Sequence, residues 1–209
     1  IAALFDFDGV VVDTEPQYSL FWDEKGEKYH PEIPEFGHHI KGQTLTQIYS
    51  QYFLHPEGLQ SEITRELLDF ETRMSFEFIP GVVDFMKELR RKGVKIAIVT
   101  SSNDQKMANA HRALPELKSM VDAIITADKV THSKPHPECF LLGAETLQMP
   151  IDRCIVFEDS FHGLESGNRA GMKVIMVPDL WEADEEVKAF LWTMCEDLEQ
   201  VKSFLQEQK

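Results

Sequence analysis

The sequence has few cysteines and no long apolar run. Cys139, Cys154 and Cys195 are far apart and form no C-x-x-C pair, so we expect reduced thiols in a cytoplasmic protein rather than a disulfide framework or a zinc site. No apolar stretch approaches the roughly 20 residues that a membrane helix needs. No signal-peptide pattern is visible, although a start at Ile1 rather than Met leaves targeting open.

Basic residues are also scarce. The chain has 21 lysines and arginines against 36 aspartates and glutamates, which gives a net charge of −15. Nucleic acids and anionic membrane surfaces would repel such a chain at long range. We therefore predict neither as a main partner. The hydrophobic share of 43% is typical of a globular protein.

The C-terminal two thirds alternates short apolar runs with helical patterns. Between the runs, one helix is predicted from the stripe Val82, Phe85, Met86 and Leu89, a second from Phe140, Leu141, Ala144 and Leu147, and a third from a Ser160 cap to Gly171. This alternation predicts a doubly wound α/β fold with a parallel sheet. Besides the strand at the N-terminus, the predicted strands are 94–100, 122–127, 154–159 and 173–178.

Residues 14–80 carry no strand pattern and are predicted to be helical. One helix shows the apolar stripe Leu59, Ile63, Leu67 and Phe70. We therefore predict a helical cap domain at 15–79, inserted after the first strand into a core made of 1–14 and 80–209, with a hinge near 13–15 and 79–81. The predicted helices of this insert are 16–29, 43–54 and 59–76.

Polar side chains follow each predicted strand. In an open parallel sheet, the loops at the carboxyl ends of the strands meet in one crevice, so we expect these side chains to converge. Each of these features alone has an ordinary structural explanation, such as a turn cap, a helix start or a surface lysine. The residues concerned are Asp6 and Asp8, Thr100 and Ser101, Lys134, and Glu158 with Asp159.

The residue types in this set fit phosphoryl chemistry. Asp6, Glu158 and Asp159 form an oxygen-rich group suited to Mg²⁺, which would compensate buried carboxylate charge. Thr100 and Ser101 precede a predicted helix and offer hydroxyl and N–H groups to an anion, and Lys134 is a point charge for a phosphoryl oxygen. A carboxylate in such a setting can attack phosphorus, and a second one can transfer protons.

Four segments carry a family resemblance. "DFDGVVVDTEP", "VTSSN", "SKPHPECF" and "VFEDSFHGLESGNRAGM" resemble the four motifs of the haloacid dehalogenase-like hydrolases. The resemblance spans essentially the whole chain and is nearest to β-phosphoglucomutases and small sugar-phosphate phosphatases with a helical cap. It implies a Mg²⁺-dependent enzyme that acts on a small phosphorylated metabolite through an aspartyl-phosphate intermediate.

The resemblance also implies residue roles. Asp6 would be the nucleophile and Asp8 the general acid/base, and an aspartate at position 8 favours phosphoryl transfer over dehalogenation. Mg²⁺ would be held by Asp6, the Asp8 carbonyl and Asp159, assisted by Glu158, while Thr100, Ser101 and Lys134 would hold the phosphoryl group. Further possible substrate contacts are Lys41, Gln43, Tyr18 and Asn103.

Two positions depart from the mutase pattern. Tyr18 stands where these mutases have a cap histidine, and Leu45 stands where they have an arginine that grips the second phosphate of the substrate. A phosphatase needs neither group, so we predict phosphatase activity and keep β-phosphoglucomutase activity as the alternative. A phosphorylatable signalling receiver is a non-enzyme alternative, although receivers run about 120 residues and lack a helical insert.

The remaining expectations concern assembly and histidines. We expect a monomer, with an oligomer left open. His38-His39 is interpreted as plain loop, and His136 and His162 are interpreted as structural although they lie near the predicted site loops.

Overall fold

The computed structural model describes residues 1–40, 43–177 and 185–207. A six-stranded parallel sheet has the order β3-β2-β1-β4-β5-β6, and helices lie between its strands, as the doubly wound α/β prediction requires. None of the helices in this part of the chain is long and apolar enough to cross a membrane. The strands are β1 (Ala2–Phe5), β2 (Lys95–Val99), β3 (Ala123–Ile125), β4 (Cys154–Glu158), β5 (Lys173–Met176) and β6 (Thr193–Met194).

Eleven α-helices are found among the described residues, and three of them are only four residues long. Their bounds are α1 (Glu15–Tyr29), α2 (Phe36–His39), α3 (Leu45–Tyr52), α4 (Leu59–Arg73), α5 (Val82–Arg91), α6 (Asp104–Ala113), α7 (Leu117–Met120), α8 (Glu138–Thr146), α9 (Phe161–Arg169), α10 (Glu185–Lys188) and α11 (Leu198–Glu207).

β1 occupies the middle of the sheet. It pairs in parallel with β2 on one side and with β4 on the other, so that Phe5 lies opposite Ile98 and Phe157. All four β1 residues are buried, which explains why the strand is apolar at every position rather than at alternate ones. The sequence missed β6 because a strand of two residues carries no readable pattern. Pro178, the last residue of the predicted strand 173–178, lies outside the described residues.

The helix predictions in the sheet-containing unit are largely confirmed. The four apolar residues predicted for α5 are all buried, and the Ser160 hydroxyl caps α9 by accepting a hydrogen bond from the Gly163 N–H at 3.2 Å. The prediction for Leu141 in α8 was wrong, because its side chain is exposed. The inward face of α8 consists of Cys139, Phe140, Gly143 and Ala144, and Leu141 lies beyond its edge.

The chain divides into two compact units, Ile1–Asp13 with Phe76–Lys209, and Thr14–Ser75. The sequence placed the second boundary four residues later and continued α4 to residue 76. The structure instead pairs the segment after α4 with the segment after β1: the Asp13 N–H donates to the Glu77 carbonyl at 2.9 Å, and the Ile79 N–H donates to the Val11 carbonyl at 3.0 Å. These backbone hydrogen bonds assign 76–79 to the sheet-containing unit.

The helical unit has its own aromatic core. Phe21, Trp22, Phe36 and Phe53 are buried there, and Leu59 and Ile63 from the predicted α4 stripe join them. The sequence missed the single turn α2. Gly26 of α1 is required for the close approach of α2, because a Cβ at that position would lie 2.2 Å from the Phe36 Cβ.

Candidate active site

Three strands of the sheet end in polar residues at one edge. Asp6 follows β1, Thr100 follows β2, and Glu158 is the last residue of β4. The central position of β1 between β2 and β4 makes these three strand ends neighbours. The structure therefore brings together side chains that are separated by about 150 positions along the chain, in the crevice where open α/β sheets bind ligands.

A buried carboxylate cluster lies at this edge. Asp6, Glu158 and Asp159 each place a carboxylate oxygen within 4.8 Å of the others. All three are buried, and Glu158 has no exposed surface. Carboxylates are rarely found this close together in the interior of a protein unless cations compensate their charge.

Lys134 supplies one of these cations. Its Nζ donates to Asp6 Oδ1 and to Glu158 Oε1, each at 2.7 Å, and to the Val99 carbonyl at 3.0 Å. Burial lowers the pKa of Lys134, but Asp6 and Glu158 more than offset this and raise it above its ordinary value. The ammonium group is therefore held charged between the two carboxylates.

The chain turn after β4 fixes Glu158. Its Oε2 accepts hydrogen bonds from the backbone N–H groups of Asp159 and Ser160, both at 2.9 Å, and from the Ser160 hydroxyl at 3.0 Å. Gly163 lies against the same carboxylate, and a Cβ there would come within 1.7 Å of Glu158 Oε1. Glu158 is thus held on both oxygens, by Lys134 on one and by this turn on the other.

Asp8 has two cationic or polar neighbours that the sequence did not single out. Lys106 Nζ lies 2.6 Å from Asp8 Oδ1, and the Ser102 hydroxyl donates to Asp8 Oδ2 at 2.8 Å. Lys106 is buried although it is a lysine on a helix. The sequence held no periodic signal for this pairing, because Ser102 precedes the Asn103 cap of α6 and only Lys106 lies within the helix.

Gly9 adapts the β1 loop to the cluster. Its φ of +79° is one that L-residues rarely adopt, and a Cβ there would lie 2.4 Å from Asp159 Oδ2. The glycine therefore permits both the turn after Asp8 and the approach of Asp159 to the loop.

The residues predicted to bind phosphate are placed as follows. Thr100 is buried, and its hydroxyl accepts from the Ser102 N–H at 3.0 Å. Ser101 is exposed. The hydroxyl that donates to Asp8 is that of Ser102. Asn103 caps α6, where its Oδ1 accepts from the Lys106 N–H at 2.8 Å.

Tyr18 and Gln43 are two of the predicted substrate contacts, and both belong to the helical unit. The Tyr18 hydroxyl donates to Glu71 Oε1 at 2.8 Å, and its ring packs against Phe70. The Gln43 Oε1 is buried and has no hydrogen-bond partner among the described residues. Lys41 lies outside the described residues. Substrate contact by Tyr18, Gln43, Lys41 and Asn103 stays a prediction.

The donor set and its charge fit a divalent cation. Asp6, Asp8, Glu158 and Asp159 carry four formal negative charges, and Lys106 and Lys134 carry two positive ones. Burial, followed by repulsion from Glu158, raises the pKa of Asp6 to about 7. Additional positive charge would therefore favour the ionised form of the cluster. All the donor atoms of the cluster are oxygens, which Mg²⁺ prefers as ligands.

Comparison with known proteins gives the family. The model of the haloacid dehalogenase-like hydrolase family matches residues 3–177. The chain is 30% identical over 179 residues to hexitol phosphatase A of Escherichia coli, covering 83% of this chain and 81% of that protein. It is 32% identical over 201 residues to a protein of Saccharomyces cerevisiae named as a probable pseudouridine-5′-phosphatase, covering 85% and 82% of the two chains.

A solved structure shows the same fold. The crystal structure of a β-phosphoglucomutase from Clostridium difficile superposes with a TM-score of 0.75 at 23% identity, covering 99% of this chain and 95% of the other. Together with the family match over most of the sequence, the strand order and the acidic cluster at the strand ends, this places the chain in the haloacid dehalogenase-like hydrolase family.

Proposed function

We propose that this chain is a Mg²⁺-dependent phosphohydrolase that cleaves a small phosphomonoester through an aspartyl-phosphate on Asp6. One observation carries the proposal: the Asp6 carboxylate lies in a buried cluster with Glu158 and Asp159 and is bound by Lys134 at 2.7 Å. This combination provides a nucleophile, a positive charge that stabilises the phosphoryl oxygens, and carboxylates that can bind a metal ion. The family membership and the phosphatase relatives support the same reaction class.

The first step transfers the phosphoryl group to the protein. A carboxylate oxygen of Asp6 attacks phosphorus in line with the ester oxygen, the P–O bond to the leaving group breaks, and Asp8 donates a proton to the departing oxygen. Lys134 offsets charge on the phosphoryl oxygens, and Thr100 and Ser101 offer further donors. The second residue of the pair, Asp8, is two positions from Asp6 and so lies in the same loop.

The second step releases phosphate. Asp8, now ionised, accepts a proton from a water molecule as that water attacks phosphorus, and the bond between phosphorus and Asp6 breaks. The products are inorganic phosphate and the free Asp6 carboxylate. Asp6, the Asp8 carbonyl and Asp159, with Glu158 assisting, would hold Mg²⁺. When bound, Mg²⁺ supplies charge stabilisation and orientation for the transferring phosphoryl group.

The substrate is proposed to be a sugar phosphate or a related phosphoester. The name hexitol phosphatase A describes a phosphorylated polyol as substrate, and the name probable pseudouridine-5′-phosphatase describes a nucleoside 5′-phosphate. Leu45 argues against a mutase that grips a second phosphate, because its side chain packs against the apolar core of the helical unit. β-Phosphoglucomutase activity remains the alternative.

A screen of phosphomonoesters with Mg²⁺, measured by release of inorganic phosphate, tests the proposal. It should include hexitol phosphates, a nucleoside 5′-phosphate and both glucose phosphates. We expect hydrolysis that is abolished by Asp6→Asn and by excess chelator, and preserved in the control Asp152→Asn, whose side chain is exposed in the short 3₁₀ helix Ile151–Arg153. Isomerisation of β-glucose 1-phosphate to glucose 6-phosphate would establish the mutase instead. Stable phosphorylation without turnover would favour a receiver.

A further inference from the structure

A second group of metal-ligand side chains lies outside the carboxylate cluster. His132, His136 and Glu138 each place one ligand atom within 4.8 Å of the others. The side chains are solvent-accessible, at 60%, 49% and 30% exposure. The two histidines belong to the loop that carries Lys134, and Glu138 begins the helix that follows it. None of the three contacts the carboxylate cluster or has a role in the proposed hydrolysis.

Glu138 organises this loop. It is the first residue of α8, and its two carboxylate oxygens accept the backbone N–H groups of Thr131 and His132 at 2.8 and 2.9 Å. These hydrogen bonds, led by that from Thr131, lower the pKa of Glu138 below its ordinary value. The carboxylate is therefore ionised and fixed in position without any help from a bound ion.

Both imidazole rings converge on the same oxygen of Glu138. His132 Nδ1 lies 2.8 Å from Glu138 Oε2, and His136 Nδ1 lies 3.9 Å from it. The two ring centroids are 4.5 Å apart with an angle of 33° between the planes. Zinc–nitrogen bonds are about 2.0–2.1 Å long, so small rotations of these exposed side chains suffice to bring all three atoms onto one ion.

Besides the hydrogen bonds to Glu138, the loop is held by contacts that do not involve these three side chains. The His136 carbonyl accepts the Ser166 hydroxyl at 2.8 Å, and the His136 N–H donates to the Ser133 carbonyl at 3.0 Å. Lys134 is anchored in the buried cluster on the inner side. A loop that is fixed on its inner side and presents two imidazoles and a carboxylate to solvent is largely preorganised for a ligand.

We propose that His132, His136 and Glu138 form a second metal site that binds a borderline divalent cation such as Zn²⁺, Co²⁺, Ni²⁺ or Cu²⁺. Two nitrogen donors and one oxygen donor suit these ions and disfavour Mg²⁺, which prefers oxygen ligands. Both histidines coordinate through Nδ1 and keep their protons on Nε2, while solvent completes the coordination shell. The metal replaces two hydrogen bonds, the one between His132 Nδ1 and Glu138 Oε2 and the one that His136 Nδ1 accepts from the Glu138 N–H at 3.3 Å. This proposal stands apart from the hydrolysis proposed above.

The test is a titration of the full chain, freed of any histidine tag, with Co²⁺ and Cu²⁺ in excess Mg²⁺, so that the carboxylate cluster is already occupied. We expect one equivalent to bind, with a visible Co²⁺ absorption band and with Cu²⁺ electron paramagnetic resonance showing coupling to imidazole nitrogen. His132→Gln/His136→Gln should weaken binding at least tenfold while thermal unfolding and circular dichroism show an intact fold.

The matched control is His38→Gln/His39→Gln, which removes two exposed histidines elsewhere. This variant should bind the metal as the parent chain does. The proposal is overturned if the parent chain binds no equivalent, if the His132/His136 variant binds unchanged, or if the control variant loses binding.

Discussion

Lys106 Nζ lies 2.6 Å from Asp8 Oδ1, and the lysine is almost completely buried in that position. Burial of a lysine costs free energy unless the charge is paired, and the ion pair with Asp8 supplies this compensation. Its consequence is a fixed orientation for the residue proposed to transfer protons. The hydroxyl of Ser102, at 2.8 Å from the other oxygen, restrains the carboxylate further.

Lys106→Met should lower the rate of phosphoryl transfer without abolishing it. General acid–base catalysis contributes about 10²–10⁴-fold, and loss of the positioning lysine should forfeit a part of this, roughly tenfold in kcat. The reduction should be larger for an alkyl phosphate than for p-nitrophenyl phosphate, because the nitrophenolate leaves without a proton. Single-turnover release of the leaving group measures both rates.

The control for this experiment is Lys129→Met, the same substitution at a lysine whose Nζ donates a hydrogen bond to the Ile124 carbonyl. It should leave both rates within about twofold of the parent. Equal losses on the alkyl and aryl substrates in Lys106→Met would show that the lysine does not act through proton transfer by Asp8.

Lys134→Met should destabilise the metal-free protein. Removal of one member of a buried ion pair leaves its partners uncompensated and costs about 3–5 kcal/mol, and here two carboxylates, Asp6 and Glu158, lose their shared cation. The loss should be larger at pH 8 than at pH 5, because the carboxylates can take up protons at the lower pH. Urea unfolding at the two pH values measures it.

A surface lysine provides the comparison. Lys92 pairs with Glu88 at 2.6 Å but is 46% exposed, and exposed ion pairs contribute about 0–1 kcal/mol. Lys92→Met should therefore change the free energy of unfolding by less than about 1 kcal/mol. An equally small change in the free energy of unfolding for Lys134→Met would mean that the buried ion pairs of Lys134 contribute little to stability.

The sequence was most informative where periodicity and topology combine. Asp6, Lys134 and Glu158 could be assigned to one site because continuous apolar runs predict parallel strands, and parallel strands end at a common edge. Their convergence does not depend on the exact residue at which each strand stops. The structure accordingly brings them within hydrogen-bonding distance.

Side chains whose direction depends on exact register were harder to predict. The sequence did not single out Ser102, whose hydroxyl contacts Asp8, while phosphate binding by Ser101 stays a prediction. The inward direction of Lys106 follows from the start of α6 after its Asn103 cap, and a shift of one position would turn the lysine by about 100°. Leu141 was misplaced for the same reason, because it lies just beyond the buried face of α8.

Binding of Mg²⁺ should be linked to pH through Asp6. In the metal-free fold its pKa is raised to about 7, against about 3.9 in an unfolded chain. Between these values the folded state holds a proton that the unfolded state lacks, so this group stabilises the metal-free fold at low pH, and its contribution is lost as the pH rises through 7. Mg²⁺ requires the ionised carboxylate and must displace this proton.

The apparent Mg²⁺ affinity should therefore rise about tenfold per pH unit between pH 5 and 7 and level off above 7. Isothermal titration calorimetry at pH 5.5, 6.5, 7.5 and 8.5 measures this slope, and two buffers of different ionisation enthalpy count the protons released. Asp6→Asn has no proton to displace at this position. This variant should bind Mg²⁺ more weakly, and its affinity should depend much less on pH. An affinity that is independent of pH in the parent chain would contradict the assignment of Asp6 as a ligand with a raised pKa.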